Sequence, residues 1–282
     1  MIVSEIYRVI KDAAARTDDQ REATAVARAV MESVMRLQPV DLVTRGDEEV
    51  MPATQSRLSD IAVRIGRGEP VQYILGEAWF HGLRLHVEPG VLIPRPETSQ
   101  LVDIIGDMAG DRADLDIIDL GTGSGAIAVA LARSLKFPRI TAVDISSDAV
   151  AIARQNARSL GVDVDIMEAD MLRPDTLPAG PWDIVVSNPP YIAPAEAADM
   201  QHRVLDYEPH TALFAPEGDP LCFYRAAAHY AATTLRPGGI LAFEINPDYA
   251  SDLERMLQDI GFHDVQTLRD FCGRPRFSIS RL

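Results

Sequence analysis

The sequence predicts an α/β protein: a doubly wound, mostly parallel sheet with an antiparallel edge hairpin at its C-terminal end, preceded by a small bundle of helices. Three observations carry that expectation. From about residue 115 onward, short continuous apolar runs alternate with helical stretches, the pattern of strands covered on both faces. The last two strand-like runs are joined by too few residues for a helical crossover, so they pair antiparallel. Before residue 68 the apolar residues recur instead at helical spacing.

Taken in order, Ile2, Ile6 and Ile10 form a first stripe, Ala23, Ala27, Val30, Val34 and Leu37 a second, and Leu58, Ile61, Ala62 and Ile65 a third. Short amphipathic helices in succession make a bundle. Gly66, Gly68 and Pro70 then break helicity. Apolar alternation around His81-Gly82 predicts a hairpin, and Pro89, Pro94 and Pro96 an extended connector. This gives a bundle over 1–70, a hairpin linker over 71–95 and a sheet domain over 96–282. Parallel strands are expected at 115–120, 139–144, 164–168, 182–187 and 238–245, and the closing hairpin at 262–268 and 274–282.

Composition narrows the function classes. The net charge is −15, with 12 acidic and 10 basic side chains in residues 1–75 against 30 and 17 in the remainder, which disfavours a protein built to grip phosphate backbones. A cationic ligand suits the acidic second part. Cys222 and Cys272 are too few and too far apart for a disulfide framework, and the six histidines show no metal-ligand spacing. The N-terminus lacks the pattern of a secretory signal, and no apolar run approaches the roughly 20 residues that span a bilayer. A cytoplasmic monomer, with no membrane and no direct nucleic-acid partner, is the expectation.

"DLGTGSGAIAVALA", residues 119–132, runs from a strand through a glycine turn into a helix. Glycine lets the backbone turn sharply and approach a ligand, and the first N–H groups of the helix can hold its polar end. Asp144, 19 positions beyond Gly125, ends the next strand, where a carboxylate can accept both hydroxyls of a ribose. Gly121, Gly123 and Ala126 also satisfy the dinucleotide fingerprint, so the loop alone leaves a nicotinamide or flavin enzyme open. Gly125 makes the loop G-x-G-x-G, as in S-adenosylmethionine-dependent methyltransferases, and the antiparallel edge hairpin points the same way.

"VSNPPY", residues 186–191, ends the fourth strand and should face the same crevice. Pro189 and Pro190 have no N–H and a fixed φ, so the loop offers rigid carbonyl acceptors with few competing donors. Asn188 adds a side-chain carbonyl while its own amide points elsewhere, toward the cofactor, and Tyr191 offers a flat face for stacking. The set suits a planar –NH2 held with its face toward an electrophilic methyl, so orientation rather than a general base drives transfer.

These residues together resemble the release-factor glutamine methyltransferases, the HemK or PrmC family. The likeness covers almost the whole chain: "GEPVQYILGEAWFHGLRLHVEPGVLIPRPET" as linker hairpin, "DLGTGSGAIAVALA" as cofactor loop, "SNPPYI" as acceptor loop and "YEPHTALF" after it. The resemblance implies a class I methyltransferase sheet and methylation of the side-chain amide of the Gly-Gly-Gln glutamine in class-1 peptide-chain release factors. It implies that Gly121, Thr122, Gly123, Ser124, Gly125, Asp144 and Met171 hold S-adenosylmethionine, and that Asn188, Pro189, Pro190 and Tyr191 hold the glutamine, with Asn188 touching both. Asn188, Pro189 and Tyr191 are the expected catalytic residues, and the bundle the release-factor docking module. Met171 stands where relatives often carry an aromatic residue, and Ser99 where many have an acid. Arg95 and Glu97 either line the crevice or form structural salt bridges. Two other readings stay open: a nucleic-acid amino-methyltransferase, whose flipped base presents the same –NH2, and a methyltransferase fold that binds without turnover.

Overall fold

The computed structural model describes residues 1–282, the side chain of residue 199 excepted. The chain divides into two compact units, Met1–Glu77 with Gln201–Tyr207, and Ala78–Met200 with Glu208–Leu282.

The first unit holds helices α1 (Val3–Ala14), α2 (Gln20–Met35), α3 (Pro39–Thr44), α4 (Pro52–Ile65) and α5 (Val71–Leu75). Helix α2 starts where the Asp19 carboxylate accepts the N–H groups of Arg21 and Glu22, both at 2.8 Å, which satisfies two of the donors a helix start leaves over. Ile6, Ile10, Val30, Met31 and Leu58 close the core of this unit with no exposed surface. Helix α5 lies where glycine and proline predict a break. Its five residues are too few to be helical alone, and packing against α2 and α4 supplies the stability. The short helix His202–Tyr207 also belongs here, with Arg203 pairing Asp18 at 2.7 Å and also pairing Glu22.

Strands β1 (Glu77–Phe80) and β2 (Leu83–His86) follow as a hairpin. His81 and Gly82 both have positive φ, 48° and 73°, the backbone that a two-residue turn needs to match strand twist. The second unit then alternates α6 (Pro96–Ala109), β3 (Asp116–Leu120), α7 (Ala126–Ser134), β4 (Arg139–Asp144), α8 (Ser147–Leu160), β5 (Asp165–Glu168) and β6 (Trp182–Ser187). After α9 (His202–Tyr207) come α10 (His210–Leu213), α11 (Cys222–Thr234), β7 (Leu235–Glu244), α12 (Ala250–Ile260), β8 (His263–Arg269) and β9 (Pro275–Arg281).

The sheet order is β5-β4-β3-β6-β7-β9-β8, parallel from β5 through β7 and antiparallel at β9 and β8. Strand residues alternate between two cores. Ile117, Ile184 and Ile240 join α6, α7 and α8 on one face, while Ile118, Val185 and Leu241 join α11 and α12 on the other. Each fully buried aliphatic side chain contributes about 1.5–3 kcal/mol, so strands apolar on both sides settle in the middle. Strand β7 starts earlier than the sequence suggests: Trp182 pairs with Leu235 and Ile184 with Ile240, so Arg236 to Gly239 bulge within the strand. Among the described residues no helix is long and apolar enough to cross a membrane.

From β3 the chain winds outward to β4 and β5 on one side, and β6 and β7 lie on the other. The carboxyl ends of β3 and β6 therefore flank the switch point, where a crevice opens in such sheets. Gly121 follows one and Asn188 the other.

Candidate active site

The glycine loop leaves β3 with Gly121 at φ 73° and meets α7 with Gly125 at φ 81°, both left-handed. A side chain at 121 would come within 3.1 Å of Met171 Cε and one at 125 within 3.0 Å of Ala153 Cβ, while one at 123 would meet nothing within 4 Å, so the loop is pressed to α8 at Gly125 and open at Gly123. The N-cap of helix α7 is Gly125, which offers no side-chain cap; Asp119 takes the Ala128 N–H, and Ala126 and Ile127 ahead of it line the cavity. The loop is also tied from outside. Gly123 N–H donates to Asp144 Oδ2 at 2.8 Å and Ser146 N–H to Asp144 Oδ1 at 3.0 Å. Fully buried Asn156 accepts His86 N–H at 2.7 Å and donates to the carbonyls of His86 at 2.9 Å and Ser124 at 2.8 Å.

Beneath the loop, Asp119 has no exposed surface and accepts the Thr122 hydroxyl at 2.6 Å. Burial pushes its carboxyl up to about 7, and burial also raises Asp144. No arginine or lysine is hydrogen-bonded to either among the described residues.

At the end of β6, Ser187 Oγ donates to Leu120 O at 2.6 Å and locks the two strand ends together. Asn188 Nδ2 then donates to Thr98 Oγ1 at 3.3 Å, in the first turn of α6. Thr98 Oγ1 donates to Glu244 Oε2 at 2.6 Å, and Tyr191 OH to Glu244 Oε1 at 3.1 Å. Arg276 on β9 reaches Tyr191 OH at 3.5 Å and Asp270 at 3.4 Å. Burial raises the Glu244 carboxyl and the Tyr191 hydroxyl above their ordinary values.

A cavity of about 400 Å³ lies between the two loops. Gly121, Thr122, Gly123 and Ser124, with Asp144 and Met171, line one side, and Asn188 and Pro190 the other. Gly125 sits behind the loop, Pro189 is buried, and half-buried Tyr191 is set back with its hydroxyl on Glu244. Arg95 does both things the sequence allows: it lines the cavity and pairs Glu208 at 2.6 Å, whose other oxygen accepts Ile93 N–H at 3.1 Å. Glu97 is not on the wall. The Asn188 amide finds Thr98 as its partner, where the sequence suggests a cofactor atom.

Thr98, Glu244, Arg276 and Asn156 escape a reading of the sequence. Glu244 has one signal, its place as the last residue of β7 at the carboxyl edge of the sheet. Thr98 sits inside the proline-rich motif next to Glu97, but its partner is 146 positions away.

These walls fit a nucleoside carrying a cationic amino-acid tail. Each Asp144 oxygen accepts one backbone N–H and keeps a lone pair for a ribose hydroxyl. Met171 and exposed Ile145 supply apolar surface for a base. The bare glycine backbone admits the tail.

Residues 100–213 match the family described as Methyltransferase small domain, and residues 8–76 the PrmC N-terminal domain. The chain is 40% identical over 255 residues to the release factor glutamine methyltransferase of Bacteroides thetaiotaomicron, covering 90% of this chain and 91% of that one. It is 34% identical over 279 residues to that of Flavobacterium psychrophilum, covering 98% of both. Among solved structures it resembles in fold a methyltransferase from Pyrococcus furiosus, with TM-score 0.52, 17% identity, and 82% of this chain and 98% of that chain covered. A T. thermophilus 16S rRNA N2 G1207 methyltransferase in complex with AdoMet and guanosine gives TM-score 0.53 and 21% identity, over 73% of this chain and 48% of that chain. Relatives that run the length of both chains at 34% to 40% identity put this chain in the release factor glutamine methyltransferase family, and so among the S-adenosylmethionine-dependent methyltransferases.

Proposed function

We propose that this chain methylates the side-chain amide nitrogen of the glutamine in the Gly-Gly-Gln motif of class-1 peptide-chain release factors. The observation that carries the reading is the orientation of Asn188: its –NH2 is committed to Thr98, so its carbonyl oxygen is the end left for an incoming amide. The names of the relatives across the whole chain support the substrate.

Bound S-adenosylmethionine supplies an electrophilic methyl group. Asp144 holds the ribose hydroxyls, the Gly121–Gly125 backbone the amino-acid tail, and Met171 one face of the base. On the acceptor side, Asn188 Oδ1 takes one amide hydrogen and the Pro189 carbonyl the other, while Pro190 adds no competing donor. The ring of Tyr191, tethered through its hydroxyl, forms a flat wall beside the amide. With both hydrogens held, the nitrogen presents its face to the methyl group, and orientation lowers the barrier. A C–N bond forms as the C–S bond breaks, and one amide proton passes to water, since Asn188 is no base at neutral pH. Residues 1–70 dock the release factor, 71–95 link, and 96–282 carry the transfer in the cytoplasm, where a monomer suffices.

Mass spectrometry of a release factor incubated with this protein and S-adenosylmethionine tests the reading. One methyl group on the Gly-Gly-Gln glutamine is expected; none, or a methyl elsewhere, overturns it. A transfer RNA or DNA substrate labelled faster than the release factor would instead favour an exocyclic amine as acceptor.

A further inference from the structure

The Asn188 side chain can in principle face the cavity with either end of its amide, and only the carbonyl end suits an incoming –NH2. We infer that Thr98 and Glu244 are positioning residues that set which end it is, by fixing the direction of a hydrogen-bond chain that ends at Asn188. The inference rests on transfer to a primary amide, as proposed above.

The direction starts at Glu244, the last residue of β7, which is 1% exposed. A carboxylate only accepts, and its two oxygens take the hydroxyl hydrogens of Thr98 and Tyr191 at 2.6 Å and 3.1 Å. Thr98 has one hydrogen, and it is spent on Glu244. Its oxygen can therefore only accept from Asn188, and Nδ2 faces it at 3.3 Å. A flipped Asn188 would set oxygen against oxygen at Thr98 and turn –NH2 toward –NH2 in the cavity. Both ends of the amide would then oppose their neighbours.

The groups packed around Glu244 divide: burial, the largest influence, disfavours the carboxylate, while the Thr98 and Tyr191 hydroxyls and Arg276 favour it. Arg276 on β9 lies beside Tyr191 and is bound on its other side by Asp270, so it adds positive charge from one direction. Tyr224 on α11 donates to the Glu244 main-chain carbonyl at 3.2 Å and leaves the carboxylate to its two hydroxyl partners. Glu97 on α6 opposes ionisation, as does burial. Thr98 and Glu244 are thus a polarity relay. Thr98 borders the cavity beside Asn188 and Glu244 lies behind it, and both act through Asn188.

Three variants of the full-length protein test this with a release factor as substrate. Thr98→Val keeps the shape and removes the acceptor; Glu244→Leu removes the acceptor that holds the Thr98 hydrogen, so that Thr98 is free to donate to Asn188 and the direction of the chain is no longer fixed. Each is expected to lower kcat about 100-fold, as for a misplaced catalytic group, with KM for the release factor and Kd for S-adenosylmethionine within about 3-fold of wild type. Thr98→Ser keeps the hydroxyl and is expected to restore kcat to within about 3-fold, a rescue that a packing role for the threonine methyl would not give. If Thr98→Val does not fold, Thr98→Ala carries the same expectation. Wild-type kcat in Thr98→Val or Thr98→Ala, or a Thr98→Ser as impaired as Val, overturns the inference alone. Wild-type protein that leaves the release factor unlabelled overturns the proposed function, and the inference falls with it.

Discussion

Strand β3 carries two aspartates three residues apart, and the sheet treats them in opposite ways. At its amino end Asp116 lies 2.5 Å from Arg139 and 2.6 Å from Arg236, and Arg139 first, then Arg236, hold its carboxyl below the usual range. Asp183, the neighbour on β6, is matched in the same way by Arg236 at 2.5 Å and Arg112 at 2.8 Å. At the carboxyl end Asp119 is buried, with the Thr122 hydroxyl as its one side-chain partner among the described residues and the Ala128 N–H beside it, and burial holds its carboxyl near 7. One end neutralises its acids within the chain; the other withholds the cation. An acid left unpaired under a ligand loop costs stability, and a cationic ligand offsets that cost. The amino end is built to persist, and the carboxyl end suits the cationic cofactor proposed for it.

The sharpest way to break this contrast is to compare activity across the two ends. Asn188→Ala is expected to cut turnover by about 10²- to 10³-fold, by analogy with removing one preorganised polar partner of a transition state. Labelled methyl transfer to a release factor reads it directly, and near-normal turnover in this variant would refute the proposed mechanism.

Next comes pH. Asp119 has a folded value near 7 against an ordinary value of 3.8, so between those pH values the folded state holds a proton that the unfolded state releases. Its contribution to stability therefore falls as pH rises from about 4 to about 7, by on the order of 4 kcal/mol, and stays lost above that. Asp116 has the opposite sign, contributing stability above its unfolded value that is lost as pH drops below it. Melting curves of wild type and Asp119→Asn at pH 5 and pH 8 should differ in slope, with the variant flatter. S-adenosylmethionine should raise the wild-type melting point more at pH 8, where Asp119 is charged, than at pH 5. Equal shifts at both pH values would mean that Asp119 does not sense the ligand's charge.

The smallest effect belongs to the amino end. Arg236 is about one-third exposed, so Arg236→Ala is expected to cost about 1 kcal/mol and lower the melting point by about 3 °C, with methyl transfer unchanged. A loss of activity there would erase the division of labour between the ends.

Much of this was legible in the sequence because periodicity reports burial. Runs such as Ile117-Ile118 and Ile184-Val185-Val186 are apolar on both faces, and only central parallel strands use them. The His81-Gly82 turn, the closing hairpin, the glycine loop and the aspartate that ends β4 are likewise local patterns. The failures are of two physical kinds. Helix α5 and the start of β7 are stretches whose own residues disfavour the structure they adopt, and tertiary partners override them. Thr98, Glu244 and Arg276 come from α6, β7 and β9, and their meaning exists only once the sheet has brought them to one point. A hydrogen-bond chain has no period to read.

The Asn156 clasp bears on how such an enzyme can be recombined. Because the main chain of His86 shares one buried side chain with the carbonyl of Ser124, the hairpin is part of the cofactor loop's foundation rather than a detachable spacer. A graft that joins a foreign recognition module at residue 96 would discard His86 and leave Asn156 with an amide short of two partners beneath the loop. Joined ahead of residue 78, the same graft keeps the foundation whole. The seam that leaves the glycine loop's support undisturbed thus lies upstream of the hairpin.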